Sequence, residues 1–203
     1  MPDGWKVTPD SFSVSLEAGE GTELSFTITA PESDIVSYLN TLRFDFDVCG
    51  FRFHAEAGIQ LAIPWRVAVV SELPETADMS LLENAEIRYG AGAILGIPSG
   101  EKMVAAVDFK LWHFQGANCN VAAQGVPLTG FIDGVKIISH ESEFYTPSPH
   151  RFECSATHEI RGGWHTAYFA IDNSECNSPE LYFWIGNMGG RSWWNDIEWK
   201  KTK

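Results

Sequence analysis

The sequence predicts an all-β protein built from two antiparallel β-sandwiches. Segments in which apolar and polar residues alternate recur along the chain, and this alternation is typical of half-buried strands. No apolar stripe with helical spacing reaches a convincing length. With 203 residues, 44% of them hydrophobic, the chain can form one large β domain or two smaller ones. We expect a first sandwich over residues 1–70, a linker over 71–86 and a second sandwich over 87–203, with a single larger sandwich as the alternative.

The first sandwich begins with two alternating segments that are joined by the turn EAGEG. In SFSVSL the apolar residues are Phe12, Val14 and Leu16, and in ELSFTITA the apolar residues alternate with serine and threonine. One apolar and one polar face indicate half-buried antiparallel strands. Residues 40–67 continue as further strands, because apolar and charged residues alternate in LRFDFD.

The stretch VVSELPETADMSLLENAE, residues 69–86, interrupts the alternation with acidic and turn-forming residues, which predicts a linker or a short helical connection. Strand patterns resume after it, and the pair Asp133-Gly134 predicts a tight hairpin turn. A jelly roll of about eight to ten strands fits this second part best. Its strand patterns are MVAAVDFKLWHF, TGFIDGVKII, WHTAYFAID, LYFWIG and SWWNDIEWK.

The charge of the chain restricts its partners. Fourteen Lys and Arg against 27 Asp and Glu give a formal net charge of −13, which repels phosphate backbones and anionic membrane surfaces. No apolar run approaches the roughly 20 residues of a membrane span. The opening MPDGWKVTPD lacks the segments of a secretory signal, so we expect any export signal to lie upstream. Nucleic acid and membrane insertion are therefore not expected.

The stretch GWKVTPDSFSVSLEAGEGTELSFTITAP, residues 4–31, resembles the start of the Ig-like "new3" or α-galactosidase-associated domains that are attached to secreted bacterial glycosidases. In those domains a Trp and a Val-x-Pro lead into an alternating strand, an acidic Gly turn, a second alternating strand and an Ala-Pro. The resemblance implies an Ig-like spacer with no chemistry of its own. It also implies an extracellular or cell-surface location and a larger parent chain whose other domains are its partners.

Alternation also assigns the aromatic residues of the second sandwich to faces. Every second residue from Met103 to Leu111 is apolar and is expected to face the core. In RSWWNDIEWKK, residues 191–201, Trp193 and Trp199 align with the core. The aromatic residues on the opposite faces are Trp112, Tyr168, Tyr182, Trp184 and Trp194.

These outward aromatic residues match the requirements of a carbohydrate site. The C–H faces of sugar rings pack on Trp and Tyr, while the hydroxyl groups bind to Asp, Asn and Arg. Asp108, Asn187 and Arg191 are the candidate polar partners. The alternative is that each aromatic residue packs under a long loop or against the first domain.

The closing segment WWNDIEW, residues 193–199, resembles the last strand of jelly-roll carbohydrate-binding modules and related galactose-binding-like domains. In those families a late acidic residue often pairs with an early carboxylate to hold a structural calcium ion. The resemblance therefore implies a calcium site formed by Asp196 with Glu83 or Glu86, since calcium prefers several oxygen ligands. The alternative is that these carboxylates are ordinary solvated residues.

The sequence nominates no catalytic residue. The six histidines show no metal-ligand spacing, no GxSxG elbow is present, and the 27 acids carry no spacing that selects a glycosidase pair. The four cysteines allow a Cys154–Cys176 bridge or free buried thiols.

Three functions remain open. The first is a noncatalytic carbohydrate-binding or accessory module pair of a secreted or surface glycan-degrading protein, which binds an oligo- or polysaccharide. The second is a structural or adhesive surface module whose aromatic residues bury an interface. The third is a β-sandwich hydrolase or lyase. The outward aromatic residues favour the first function.

Overall fold

The computed structural model describes residues 4–32, 35–37, 39–90, 94–111, 115–123, 126–140, 155–175, 180–187 and 197–200. Across these residues the secondary structure is almost entirely antiparallel β-strand, which confirms the predicted fold class. No helix in this part of the chain is long and apolar enough to cross a membrane. The chain forms two compact units, one from residues 1–33 and 40–59 and one from residues 34–39 and 60–203.

The first unit holds two separate two-stranded antiparallel sheets among the residues that the structure describes. One sheet consists of β1 (Lys6–Thr8) and β2 (Thr27–Thr29). After β3 (Ile35–Ser37), which belongs to the second unit, β4 (Leu39–Val48) and β5 (Phe51–Gln60) form the other sheet as a long hairpin.

A two-residue turn joins β4 to β5. Cys49 and Gly50 have positive φ angles of 52° and 84°, as expected for a type I′ turn, whose twist suits two antiparallel strands. Beyond the turn, the rings of Phe46 and Phe53 stack with their centroids 5.0 Å apart. Cys49 is an exposed free thiol, and the side chains of the other three cysteines lie outside the described part of the chain.

The predicted strand SFSVSL pairs with no other strand in the described part of the first unit. Phe12 packs edge-on against Phe26 with a centroid distance of 6.5 Å, yet 42% of its surface stays exposed. Alternation predicts which side of a strand is apolar, but a strand also needs a neighbour that accepts its backbone hydrogen bonds. The described residues of the first unit form two small sheets, and the rings of Phe26 and Phe44 lie 5.4 Å apart. The first sandwich stays a prediction.

The second unit packs two antiparallel sheets face to face. The larger sheet has the order β12-β11-β14-β9. The other edge of β9 pairs with β6 over one part of its length and with β16 over another part. Strand β7 pairs with β6, and β3 pairs with β16. The smaller sheet has the order β13-β10-β15-β8. The strands not yet given are β6 (Ile63–Val70), β7 (Glu86–Gly90), β8 (Ile94–Gly96), β9 (Lys102–Leu111), β10 (Gln115–Ala123), β11 (Leu128–Ile132), β12 (Val135–His140), β13 (Ser155–Ile160), β14 (Gly163–Asp172), β15 (Glu180–Asn187) and β16 (Glu198–Lys200).

The core of the second unit lies between these two sheets. The apolar residues at every second position from Met103 to Leu111 all belong to it, which confirms the face predicted for that strand. At its centre, the rings of Phe169 and Phe183 join the two sheets with centroids 5.0 Å apart, and Trp199 is buried as predicted. The predicted turn at Asp133-Gly134 connects β11 to β12, with positive φ at both residues. The unit is a β-sandwich, and its jelly-roll topology stays a prediction.

The segment expected to be a linker is part of the second unit. Strand β6 pairs with β9 from Arg66 to Val70, so the boundary between the units falls near residue 60 instead of residue 70. A short 3-10 helix, Met79–Leu82, follows, and the carboxylate of Asp78 caps it by accepting a hydrogen bond from the Ser80 amide. Leu82 is only 4% exposed, because it packs on the outer face of the larger sheet. Residues 73–85 thereby cover one half of that face.

Candidate functional site

A group of partly exposed polar side chains and one tryptophan lies on the other half of the same outer face. Because successive strand residues point to opposite sides, residues 108 and 110 of β9 project away from the core that holds residues 107 and 109. Their cross-strand neighbours on β14 and β16 project to the same side. We call this group the open-face cluster, and its members are Arg66, Asp108, Lys110, Trp164, Thr166 and Glu198.

The cluster consists of two rows of neighbouring side chains. The first row is Arg66, Asp108 and Thr166, with Asp108 at its centre. Its Oδ1 atom lies 2.9 Å from Nη2 of Arg66 and accepts a hydrogen bond of 2.7 Å from the hydroxyl of Thr166. The Arg66 and Asp108 side chains are 20% and 21% exposed, so the pair is partly shielded from water. Among the described residues, Oδ2 of Asp108 and the remaining guanidinium donors of Arg66 have no partner. The row therefore keeps both an acceptor and several donors for a ligand.

The second row is Glu198, Lys110 and Trp164, with Lys110 at its centre. Its ammonium group lies 3.2 Å from Oε2 of Glu198 and 6.0 Å from the centre of the Trp164 ring. This distance allows a cation–π attraction, which holds the lysine against the tryptophan. Trp164 is 42% exposed, so part of its ring can still contact a ligand.

The two rows are close to each other and have no net charge. Residues two positions apart on one strand are separated by roughly 7 Å, which places the rows of Asp108 and Lys110 side by side. The two cations of the cluster balance its two carboxylates, although the whole chain carries a net charge of −13. The result is a locally neutral surface with an aromatic ring at one end.

The open-face cluster ends at Tyr168, where the covered half of the outer face begins. This residue has the predicted outward orientation on β14, but residues 73–85 bury it to 1% exposure beside Phe131. Burial, and secondly the nearby charge of Asp78, raise the pKa of Tyr168 to about 12. The packing alternative that the sequence left open therefore applies to Tyr168, whose ring is not accessible to a sugar in this structure.

The other predicted ligand-binding residues have different outcomes. Asp108 lies in the open-face cluster, as described above. The backbones of Tyr182, Trp184 and Asn187 belong to β15 in the smaller sheet, and their side chains lie outside the described part of the chain. The strands expected to carry one site thus belong to two different sheets. The remaining candidates, which lie outside the described residues, are Trp112, Arg191 and Trp194.

The predicted calcium ligands are not brought together in the described residues. Glu83 is exposed just after the 3-10 helix. Glu86 binds Arg88 at 2.8 Å, and this hydrogen bond and the charge of Arg88 lower the pKa of Glu86. Asp196 lies outside the described part, within which no group of three His, Cys, Asp or Glu residues has a metal-binding arrangement. The calcium site stays a prediction.

Sequence reasoning did not nominate most members of the cluster as site residues. Trp164 precedes Tyr168 by four residues in the strand pattern WHTAYFAID, so the alternation assigns both side chains to the same face. Lys110 and Glu198 are visible on the polar sides of their strands by the same rule. Arg66 had no such signal, because its proximity to Asp108 depends on the pairing of β6 with β9.

Comparisons with known proteins add no identification. No protein-family model matches the chain, and no curated protein matches it.

Proposed function

We propose that the second unit is a noncatalytic carbohydrate-binding module and that the chain is an accessory part of a secreted or surface glycan-degrading protein. The observation that carries this proposal is the partly exposed ring of Trp164 beside polar groups that retain hydrogen-bonding capacity. A sugar ring offers an apolar C–H face and a rim of hydroxyl groups. The open-face cluster offers a matching surface for both.

The hydrogen-bonding part of the proposal depends on Arg66 and Asp108. Each is held by its partner on the neighbouring strand, so a ligand would meet side chains whose positions are already restricted. The remaining donors of Arg66 and Oδ2 of Asp108 can bind two neighbouring hydroxyl groups of one ring. We therefore place the sugar with its C–H face towards Trp164 and its hydroxyl rim towards the first row.

The expected ligand is a neutral oligo- or polysaccharide. Both cations of the cluster already have a carboxylate partner, and the net charge of −13 repels polyanions at a distance. The two carboxylates, Asp108 and Glu198, each face a cation, an arrangement that suits hydrogen-bond acceptors better than the acid and base of a glycosidase.

The two sequence resemblances support the same context. The Ig-like start fits a spacer beside other domains of a larger parent chain, and the closing strand fits a carbohydrate-binding module with a structural calcium ion at Asp196 and Glu83 or Glu86. An extracellular or cell-surface location belongs to this proposal.

A structural or adhesive module is the second candidate. Its specific support is Tyr168, because this outward aromatic residue serves packing. In that function, Trp164 would contact another protein surface instead of a sugar.

The test is calorimetric titration of the full chain with a panel of neutral oligosaccharides. We expect saturable binding, and we expect Trp164→Ala to weaken it by about tenfold or more, the value of one aromatic stacking contact. Tyr89→Ala is the matched control, because Tyr89 is 66% exposed on β7 and lies outside the cluster. Trp194→Ala tests the separate prediction for that residue. Absence of binding across the panel, or binding that Trp164→Ala leaves intact, would contradict the proposal.

A further inference from the structure

The β4–β5 hairpin has an outer edge that no described residue covers. The two strands form a sheet of their own, so one edge of each is unpaired within the described part of the chain. Free edges of long strands bind other strands. Near the tip, Phe51 and Phe53 are 79% and 53% exposed. The hairpin therefore has both a free edge and uncovered apolar surface.

The turn determines which groups of β5 point outwards. In a hairpin with the two-residue turn Cys49-Gly50, the flanking residues Val48 and Phe51 exchange backbone hydrogen bonds. From Phe51 onwards, every second residue of β5 therefore directs its N–H and C=O towards β4. The residues between them direct these groups to the free edge, and they are Arg52, His54, Glu56 and Gly58.

We propose that β5 pairs antiparallel with β5 of a second copy of this chain, about a two-fold axis at His54. In this register the outward backbone groups of Arg52 and Glu56 in one copy meet those of Glu56 and Arg52 in the other. Directly opposite residues share a face, so both ends of the interface gain an Arg–Glu pair. On the other face, the large rings of Phe51 and Phe53 lie opposite the small side chains Ala57 and Ala55. Strand β5 is thus complementary to itself in charge and in size.

The neighbouring registers are less favourable. A two-fold axis at Phe53 or at Ala55 places His54 opposite Arg52 or Glu56, so no Arg–Glu pair forms. An axis at Arg52 or at Glu56 places like charges directly opposite each other, which destabilises cross-strand pairs. Strand β4 is also less suited, because Arg43 already binds Asp45 at 2.8 Å and Leu42 is buried. On β5, Arg52 is 87% exposed and its ion pair with Asp47 is longer, at 3.3 Å, while Glu56 is exposed without an ion-pair partner among the described residues.

Sedimentation equilibrium of the full chain over a range of micromolar concentrations tests the proposal. We expect a monomer–dimer equilibrium that Arg52→Glu and Glu56→Arg each weaken by about tenfold, since each change turns two attractive pairs into repulsive ones. The double variant Arg52→Glu/Glu56→Arg should restore dimerisation. Arg88→Glu is the matched control, because it breaks an ion pair with Glu86 on β7, outside the hairpin.

A monomer at all concentrations would overturn the proposal. So would single variants that dimerise like the parent chain, a double variant that stays as weak as the single ones, or a control that weakens the dimer equally. Circular dichroism of each variant checks that the fold is retained. The result is independent of carbohydrate binding, which involves other residues.

Discussion

Asp108 owes its place in the open-face cluster to two residues from distant parts of the chain. Arg66 precedes it by 42 residues and Thr166 follows it by 58. Both bind the same carboxylate oxygen, which restricts the orientation of the group and leaves the second oxygen without a partner among the described residues. A charge-assisted contact held by two neighbouring strands is better ordered than an exposed surface pair. This local order supports the proposal that Asp108 binds a ligand.

Tyr168 provides a test at the level of one residue. Burial raises its pKa to about 12 from 10.0, so the folded state keeps the phenol neutral where the unfolded chain ionises it. The resulting stabilisation is fully present below pH 10 and is lost as the pH rises towards 12. We expect the free energy of unfolding to fall more steeply over this range in the parent chain than in Tyr168→Phe, by about 1–2 kcal/mol in total.

Urea unfolding of both proteins between pH 9 and pH 12 measures this difference. All other groups are common to both proteins, so their contributions cancel in the comparison. Parallel pH profiles would show that Tyr168 is not shielded by the segment over it.

At the level of elements, side-chain contacts from turns and connections join parts of the second unit, in addition to the pairing of its strands. The ring of His165 lies 2.7 Å from Oδ2 of Asp133 and 2.6 Å from the carbonyl oxygen of Arg161, so it connects the β11–β12 turn with the start of β14. It also packs on Phe109 of the core, with a centroid distance of 5.6 Å. These contacts give His165 a structural role.

The segment between β6 and β7 is predicted to contribute directly to stability. Leu82→Ala removes a buried side chain from the outer face of the larger sheet, and we expect it to lower the free energy of unfolding by about 2–3 kcal/mol. Leu81→Ala is the matched control, because Leu81 belongs to the same 3-10 helix but is 37% exposed, and we expect a loss below about 1 kcal/mol. Chemical denaturation measures both. Equal small losses would mean that the segment is only a linker.

The success of sequence reasoning differed between elements for physical reasons. The core face of β9 was predictable, because alternation is a local property and both sheets of the sandwich supply the apolar partners. The strand expected at SFSVSL was wrong for the described residues, because pairing depends on a neighbour that local patterns do not reveal. The short helical connection predicted within residues 69–86 is present as the 3-10 helix, but the burial of Leu82 was not predicted, since Leu82 stands among acidic and turn-forming residues.

The candidate site was only partly predictable for the same reason. Asp108 was nominated from its face, and Trp164 could have been found by the same rule. The grouping of Asp108 with Arg66 and Thr166 depends on strand order, which is non-local. A pattern along one strand therefore indicates which residues point outwards, but it does not indicate which outward residues meet.

At the level of the whole molecule, the second unit is discontinuous in sequence. Residues 34–39 belong to it, and their strand β3 pairs with β16. In the sequence, the β4–β5 hairpin separates these residues from the rest of the unit. The unit also includes β6, whose Trp65 is fully buried and contacts Phe169 and Phe183 in the core. The chain cannot be divided at residue 70 without removing part of this core.

This organisation predicts the behaviour of two truncated proteins. A fragment of residues 71–203 lacks β3 and β6, and loss of the Trp65 side chain alone costs about 3–5 kcal/mol, a large fraction of the stability of a domain. We expect this fragment not to unfold cooperatively. A fragment of residues 34–203 keeps both strands and should show a cooperative thermal transition by circular dichroism. Cooperative unfolding of the shorter fragment would contradict the assignment of β6 to the core.

The most direct test of the carbohydrate-binding proposal is a nitrogen-15 NMR titration of the full chain with a neutral oligosaccharide. The indole N–H signals of Trp164 and Trp65 provide an internal comparison, because Trp164 lies 42% exposed in the open-face cluster and Trp65 is buried in the core. We predict a saturable shift of the Trp164 signal, together with the backbone amides of residues 108 and 166, while the Trp65 signal stays in place. Saturable binding that leaves these open-face signals unchanged, or no shift with any neutral oligosaccharide of the panel, would contradict the proposed site.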